Sequence, residues 1–212
     1  MNKSILYAAA IVIAVAAVAY RVPAGWIVAG SQPDKYDMGT DPGVGINGGN
    51  AATIRSLKRN ISGFGTLMQN ISPDNYKGKR IWLSGSIKAD DVEGWSGLWL
   101  RVDGLKEARL IKTSVSTESG SKDVTQKISS NETLTTLAFD NMYNRPVRGT
   151  TGWTKCVMVL DVPDSATNIA FGALLHGTGQ IWFDNLKFDT VAKDVPTTSN
   201  TDKKPTNLDF EK

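Results

Sequence analysis

Apolar and polar residues alternate with a period of two along most of the chain after residue 20. Side chains on successive strand residues point to opposite faces, so this period predicts β-strands that are buried on one face. The clearest runs cover residues 81–87, 98–102, 156–160, 169–175 and 181–188.

Clusters of Gly, Pro, Asn and Asp separate these runs and predict turns, because these residues suit turn backbone conformations. About eight short strands in a chain of 212 residues predict one all-β domain. We expect two antiparallel sheets packed face to face, as in a jelly roll. The pattern also allows one short helix around residues 51–57. The turn clusters lie at residues 72–75, 90–91, 144–146, 162–164 and 177–179.

Residues 1–19 have the features of a leader. Lys3 precedes an uncharged stretch at 5–19, and Ala17-Val18-Ala19 fits the small-x-small rule for cleavage before Tyr20. A stretch of about 15 residues is short for a membrane helix, which needs about 20. We interpret it as a helical signal peptide, with an uncleaved N-terminal membrane anchor as the alternative. Both predict an exported domain, periplasmic, secreted or held at the membrane by this segment.

The charge content argues against a nucleic-acid partner, and the cysteine content excludes an internal disulfide. The chain has 24 Lys and Arg against 21 Asp and Glu, a net charge of +3. It lacks the concentrated basic face that nucleic-acid binding requires, so we expect no nucleic-acid partner. A single cysteine cannot form an internal disulfide, and Cys156 lies in an alternating run that predicts a core position.

The organisation predicted from composition is one domain with two additions. Residues 20–192 carry the strand pattern, interrupted at 105–136 by a polar, Ser/Thr/Lys-rich stretch that predicts a long hairpin. Residues 193–206 have the composition of a linker. Residues 207–212 again have the pattern of a strand.

Five blocks of residues together resemble a known kind of module. They include Gly25-Trp26, the run Trp95-Ser96-Gly97-Leu98-Trp99-Leu100-Arg101-Val102-Asp103, and Trp182-Phe183-Asp184-Asn185 near the end of the strand pattern. Over residues 22–191 the chain resembles a bacterial galactose-binding-like jelly-roll module, of the type found alone or appended to transcriptional regulators and peptidases. The resemblance implies a β-sandwich fold and an accessory role, but no ligand. The blocks cover residues 25–41, 63–80, 95–103, 137–153 and 171–184.

The chain departs from this module in two places. Residues 105–136 are an insertion relative to it. The Asn-Leu-x-Phe-Glu strand that usually opens such modules stands at the C-terminus, as Asn207-Leu208-Asp209-Phe210-Glu211. We therefore expect 207–212 to return through the linker and complete the sandwich, or to complete a neighbouring copy by strand exchange, which would give a homo-oligomer.

Aromatic residues beside planar polar groups supply the candidate ligand site. By parity, Trp95, Trp99 and Arg101 share one face of their strand, opposite the aliphatic residues of 98–102. Rings next to hydrogen-bonding side chains suit a carbohydrate or similar small polar ligand. A core position for the tryptophans, and an ion pair between Arg101 and Asp140, are the structural alternatives. The predicted ligand-binding residues are Trp95, Trp99, Arg101, Asp140, Asn141 and Arg145.

The sequence offers little for catalysis. The single histidine, His176, lies in a Gly-rich stretch that predicts an exposed turn, and no Gly-x-Ser-x-Gly motif accompanies it. We expect no cofactor and no zinc, since one His and one Cys cannot supply a usual ligand set. Sandwiches of this type often hold a structural calcium, for which Asp184, Asp189 and Glu211 are the candidate ligands.

These observations predict a non-catalytic, exported binding module. A structural or protein-interaction subunit that assembles through its C-terminal strand is the alternative. A hydrolase using paired carboxylates is a third, weaker hypothesis. Its candidate acids are Asp90, Asp91, Glu93, Asp140 and Asp184.

Overall fold

The computed structural model describes residues 19–105, 110–117, 120–127 and 134–199, with side chains described for 19–105 and 134–199. The elements in this part of the chain are strands and one 3-10 turn, Pro33–Lys35. None of its helices is long and apolar enough to cross a membrane. The predicted leader helix lies outside the described residues. The strands are β1 (Ile27–Gly30), β2 (Tyr36–Asp41), β3 (Ala51–Ser56), β4 (Phe64–Ile71), β5 (Arg80–Leu105), β6 (Leu110–Thr117), β7 (Gly120–Lys127), β8 (Leu134–Asp140), β9 (Val147–Asp161) and β10 (Ala166–Val191).

Two long strands, β5 and β10, organise the domain. Each has 26 residues, and they pair antiparallel from Ala166 opposite Gly104 to Val191 opposite Arg80. Shorter strands flank this central pair differently at its two ends. At one end the order is β1-β4-β10-β5-β8, which we call the first layer. At the other end it is β2-β3-β10-β5-β9, the second layer.

One apolar core joins the two layers. Its fully buried members include Leu100 and Leu175 of the first layer together with Leu83, Met158 and Phe183 of the second. Burial of both inner faces removes apolar surface from water, the main stabilising contribution to the fold. The predicted class, an all-β antiparallel sandwich, is confirmed. Cys156 is 1% exposed and lies in this core, as its alternating run predicts.

The long strands bend where the layers separate. The φ angles of Gly94 and Gly177 are +118° and +86°. A Cβ on Gly94 would lie 2.2 Å from the carbonyl oxygen of His176, and one on Gly177 would lie 2.1 Å from that of Glu93. Only glycine allows the two backbones to approach so closely. The turns predicted at 90–91 and 177–179 are therefore wrong, because both segments lie inside continuous, bent strands.

Two other predicted segments have a described structure. The short helix allowed at 51–57 is wrong, because residues 51–56 form β3, which pairs with both β2 and β10. Pairing on both edges favours the extended conformation over a helix. Within the predicted insertion, β6 and β7 pair with each other as a two-stranded antiparallel hairpin.

The described part of the C-terminal tail lies between the edges of the two layers. Thr198 donates its backbone N–H to the carbonyl of Val159 on β9, 2.9 Å away. Its hydroxyl donates to the carboxylate of Asp140 on β8 at 2.5 Å. The predicted strand at 207–212 lies outside the described residues, so its position in the sandwich stays a prediction.

Candidate functional site

The outer face of the first layer carries a second apolar cluster, separate from the core. Its buried members are Trp99, Ala170 and Leu174. Residues 98, 100 and 102 of β5 point into the core, with exposures of 0%. The predicted division of β5 into an aliphatic core face and a Trp/Arg outer face is therefore confirmed.

Trp99 is held in place across a neighbouring strand. Its Nε1 donates a 2.8 Å hydrogen bond to the hydroxyl of Thr66 on β4, although β10 lies between β4 and β5. The indole therefore extends across β10, where Gly172 is its register partner. Thr66 in turn donates to the carbonyl of Ala173 at 2.7 Å. Trp99 is 6% exposed, so it forms part of the floor of the site, with its N–H already satisfied.

A pocket of about 380 Å³ opens above this cluster, and we call it the aromatic pocket. Most of its lining is apolar, and it draws on five strands or their ends. Sequence reasoning identified Trp95, Trp99, Arg101 and Asn141 among its residues. The described lining residues are Ala29, Gly30, Phe64, Thr66, Met68, Trp95, Trp99, Arg101, Phe139, Asn141 and Leu174.

Arg101 is the charged residue among those lining residues, and it is oriented by Asp103. The Nε of Arg101 lies 2.9 Å from a carboxylate oxygen of Asp103, which is 6% exposed. Asn168 also donates to this carboxylate, at 3.1 Å. The guanidinium carbon is 6.0 Å from the ring centroid of Trp99, within the range of a cation–π contact. Within the described residues, its two terminal nitrogens make no hydrogen bond.

Trp95, which lines one side of the pocket, packs against two further aromatic rings. Trp95 stacks on His176, with ring centroids 6.1 Å apart and planes 16° apart. It meets Tyr143 edge-on at 5.5 Å, and Tyr143 is 63% exposed. The exposed turn predicted for His176 is wrong. This residue is half-buried within β10, and its Nδ1 is buried without a hydrogen-bond partner in the described structure.

Asp140 and Arg145 do not join the aromatic pocket. Asp140 is fully buried and accepts hydrogen bonds from Arg145 at 2.5 and 3.2 Å. It also accepts from the backbone N–H of Met142 at 2.9 Å. Arg145 donates as well to the carbonyl of Val157 on β9. The pair thus fixes the 141–146 turn against β9. The alternative of an Arg101–Asp140 ion pair is not found, because Arg101 pairs with Asp103 and Asp140 pairs with Arg145.

The side chains described for 19–105 and 134–199 do not form a metal site. These residues contain no group of three or more His, Cys, Asp or Glu side chains that could hold an ion. Asp184 accepts from the backbone N–H of Ile46 at 3.0 Å and so anchors the 42–50 loop. Asp189 accepts from Thr190, and Glu211 lies outside the described residues. The structural calcium stays a prediction.

Several pocket residues were missed by sequence reasoning. Phe64, Met68 and Leu174 lie on β4 and β10, and Phe139 lies on β8 opposite Arg101. Parity along 64–68 gives a signal, since Phe64, Thr66 and Met68 alternate with the core residue Leu67. That signal cannot show which strands lie beside β5, because neighbours in a sheet are distant in sequence.

Comparison with known proteins gives one relative of substantial identity. The chain is 36% identical over 193 residues to the uncharacterized HTH-type transcriptional regulator YbfP of Bacillus subtilis (strain 168), covering 88% of this chain and 56% of the regulator. The chain therefore spans little more than half the length of the curated relative it matches. No family model matches the chain.

Solved structures similar to this chain share little of its sequence. The Stig cyclase Fisc from Fischerella sp. TAU, solved with an indole compound, has a TM-score of 0.50 at 13% identity and covers 81% of this chain and 87% of its own. The CBM22-1-GH10 modules of xylanase 10B from Clostridium thermocellum, complexed with xylohexaose, have a TM-score of 0.48 at 13% identity, covering 82% of this chain and 27% of that chain. At 13% identity, the likeness to the cyclase concerns the fold alone.

Proposed function

We propose that this chain is a non-catalytic binding module whose ligand site is the aromatic pocket. The observation that carries the proposal is an apolar pocket with one oriented guanidinium in its wall. Asp103 holds Arg101 through its Nε, and Arg101 lines the pocket. A site with a largely apolar lining and a few placed polar groups is the usual form of a ligand pocket in proteins.

The ligand class that fits best is a carbohydrate. A sugar ring has an apolar C–H face that packs on aromatic rings, and hydroxyls at its edge that accept hydrogen bonds. Trp95 and Phe139 supply partly exposed rings, and Phe139 is 37% exposed. Arg101 supplies planar donors next to them. The pocket volume of about 380 Å³ lies within the range for small-molecule sites.

The lining residues support binding without catalysis. None of the described residues that line the pocket is a carboxylate, histidine, cysteine or lysine. General acid–base catalysis needs a titratable group within hydrogen-bond reach of the reacting atom. A guanidinium is a hydrogen-bond donor that does not give up its proton in proteins, so Arg101 serves to bind and orient a ligand.

A glycan array followed by calorimetry tests this function. We expect the wild-type protein to bind a defined set of glycans, and Trp95→Ala and Arg101→Ala to lower the affinity at least tenfold. Arg148→Ala and Trp82→Ala are matched controls, because Arg148 is exposed and both residues lie outside the aromatic pocket. Absence of glycan binding by wild type would overturn the carbohydrate ligand. Unchanged affinity in both pocket variants would overturn the site.

A second candidate function, assembly through the C-terminal segment, has its own supporting observation. Thr198 bridges β8 and β9, and Ser199 donates to the carbonyl of Phe139 on β8, so the described chain ends beside the edges of both layers. We propose that 207–211 add a strand there, within the chain or in a neighbouring copy. Exposed sheet edges accept added strands through main-chain hydrogen bonds.

Deletion of residues 207–212 tests the second candidate. We expect a lower melting temperature if the strand pairs within the chain. Loss of a concentration-dependent oligomer in light scattering is expected if it pairs between copies. A deletion protein with unchanged melting temperature and mass in solution would contradict both forms.

A further inference from the structure

The chain immediately after the predicted leader is fixed on the outer face of the second layer. Asp37, Gly39 and Asp41 alternate along β2 and share that face. The backbone N–H of Tyr20 donates to Asp37 at 3.0 Å. The carbonyl of Arg21 accepts from the N–H of Thr40 at 2.8 Å. A Cβ on Gly39 would lie 2.5 Å from the Arg21 carbonyl oxygen, so only glycine lets this segment cross β2 so closely.

The side chain of Tyr20 completes the attachment. Its hydroxyl donates to Asp41 at 3.3 Å and accepts from the side-chain amide of Gln180 at 3.0 Å. The guanidinium carbon of Arg55 lies 4.9 Å from its ring centroid, and Arg55 also pairs with Asp37 at 2.8 Å. Among the side chains that the structure describes, two carboxylates and one guanidinium contact Tyr20.

This attachment begins at the residue where the leader motif ends. The small-x-small sequence 17–19 predicts a signal-peptidase cut between Ala19 and Tyr20. Ala19 is exposed, whereas Tyr20 is half-buried. From this coincidence we propose that Asp37 is a docking site for the α-ammonium group that proteolytic processing creates on Tyr20. Hydrolysis by a signal peptidase adds water across the Ala19–Tyr20 peptide bond, leaving a carboxylate on Ala19 and an amine on Tyr20 that takes up a proton.

Processing changes the strength of an existing contact. Before the cut, the donor to Asp37 is a neutral peptide N–H. After the cut it is a cation, so a Coulomb attraction between the ammonium and the Asp37 carboxylate, 3.0 Å apart, is added to the hydrogen bond. The new positive charge also balances the excess of carboxylate around Tyr20. Removal of the leader therefore locks the N-terminal segment onto the mature domain.

The first experiment identifies the mature N-terminus. The full chain is expressed in a bacterium with an intact export pathway, and the purified protein is analysed by intact mass and N-terminal sequencing. We expect a chain that begins at Tyr20 with a free α-amine. A retained leader, or a cut at another bond, overturns the processing step.

The second experiment tests docking separately from processing. Two proteins are prepared by cleaving an N-terminal fusion, one beginning at Tyr20 and one at Ala19, which displaces the ammonium by one residue. We expect the Tyr20 protein to melt about 2–4 °C higher, as for a stabilising interaction of about 1 kcal/mol in a domain of this size. The difference should vanish with Asp37→Asn and persist with Asp34→Asn, a carboxylate on the exposed 3-10 turn. Equal melting temperatures of the Tyr20 and Ala19 proteins overturn the docking site, whether or not the Asp37 variant folds.

Discussion

Trp99 and Thr66 are joined by a buried 2.8 Å hydrogen bond that spans an intervening strand of the sheet. The bond fixes the largest side chain in the floor of the aromatic pocket and leaves no unsatisfied indole N–H beneath it. The shape of the pocket therefore depends on a residue, Thr66, whose own polar atom is not offered to a ligand.

Thr66→Val should disturb this floor. It removes the acceptor of Trp99 and the donor to the Ala173 carbonyl, so two buried polar groups lose their partner. We expect a loss of about 1–3 kcal/mol in the free energy of unfolding, with a changed tryptophan emission spectrum and weaker ligand binding.

Thr53→Val is the matched control for this substitution. Thr53 is also fully buried and donates to a strand carbonyl, that of Ile181, but in the second layer. It should lower stability by a similar amount and leave ligand affinity unchanged. If both variants affect binding equally, the pocket is not a local property of the first layer.

Asp103 and Asp140 each pair with an arginine, but substitution of Asp103 should mainly lower ligand affinity. Substitution of Asp140 should mainly lower stability. Asp103→Asn weakens the partner that orients Arg101, so we expect lower ligand affinity with a modest change in stability. Asp140→Asn removes the charge of a fully buried carboxylate whose partner, Arg145, is 33% exposed, so we expect a loss of stability below the about 3–5 kcal/mol of fully buried pairs. Chemical denaturation and calorimetry on both variants check this, and a loss of affinity confined to the Asp140 variant would contradict it.

Gly177→Ala should destabilise the fold strongly. The added Cβ would lie 2.1 Å from the carbonyl oxygen of Glu93, at a φ of +86°. The long strands would have to separate at their bend, so we expect a loss of more than about 4 kcal/mol or no folded protein. Gly149→Ala is the control, because its φ is also positive, +64°, but its Cβ would meet nothing within 4 Å. Similar melting temperatures of the two variants would show that the close approach at Gly177 does not limit stability.

Alkaline pH should destabilise the protein through Cys156. Burial raises the pKa of its thiol from 9.0 to about 11, so the folded state keeps a proton that the unfolded state releases. The stabilising contribution is complete below pH 9 and is lost as the pH rises from 9 to 11. Urea unfolding across this range should show that slope, and Cys156→Ala should reduce it.

Tyr36 adds to the same pH dependence at a higher pH. Burial raises the pKa of its hydroxyl from 10.0 to about 12, and this hydroxyl donates to the carbonyls of Gly63 and Gly177.

Slow reaction of native Cys156 with a thiol reagent at pH 8, and fast reaction in urea, provides an independent check of thiol burial. Equal reaction rates in both states would rule out the buried thiol.

The sequence by itself determined the strand class and the faces of individual strands. The alternation at 95–102 correctly assigns Trp99 and Arg101 to one side of β5 and the aliphatic residues to the other. Such parity is local, because it follows from the geometry of a single extended chain. The same parity places Arg101 and Asp103 on one face of β5. Their ion pair could therefore have been predicted from the sequence.

Only the tertiary structure decided which strands are continuous and which side chains meet. Glycine and aspartate clusters predict turns at 90–91 and 177–179, but the pairing of β5 with β10 keeps both strands extended through their bends. Trp99 reaches Thr66, and Phe139 lies beside Arg101, because of strand order in the sheet. That order depends on contacts between residues far apart in sequence, which no local pattern of hydrophobic and polar positions encodes.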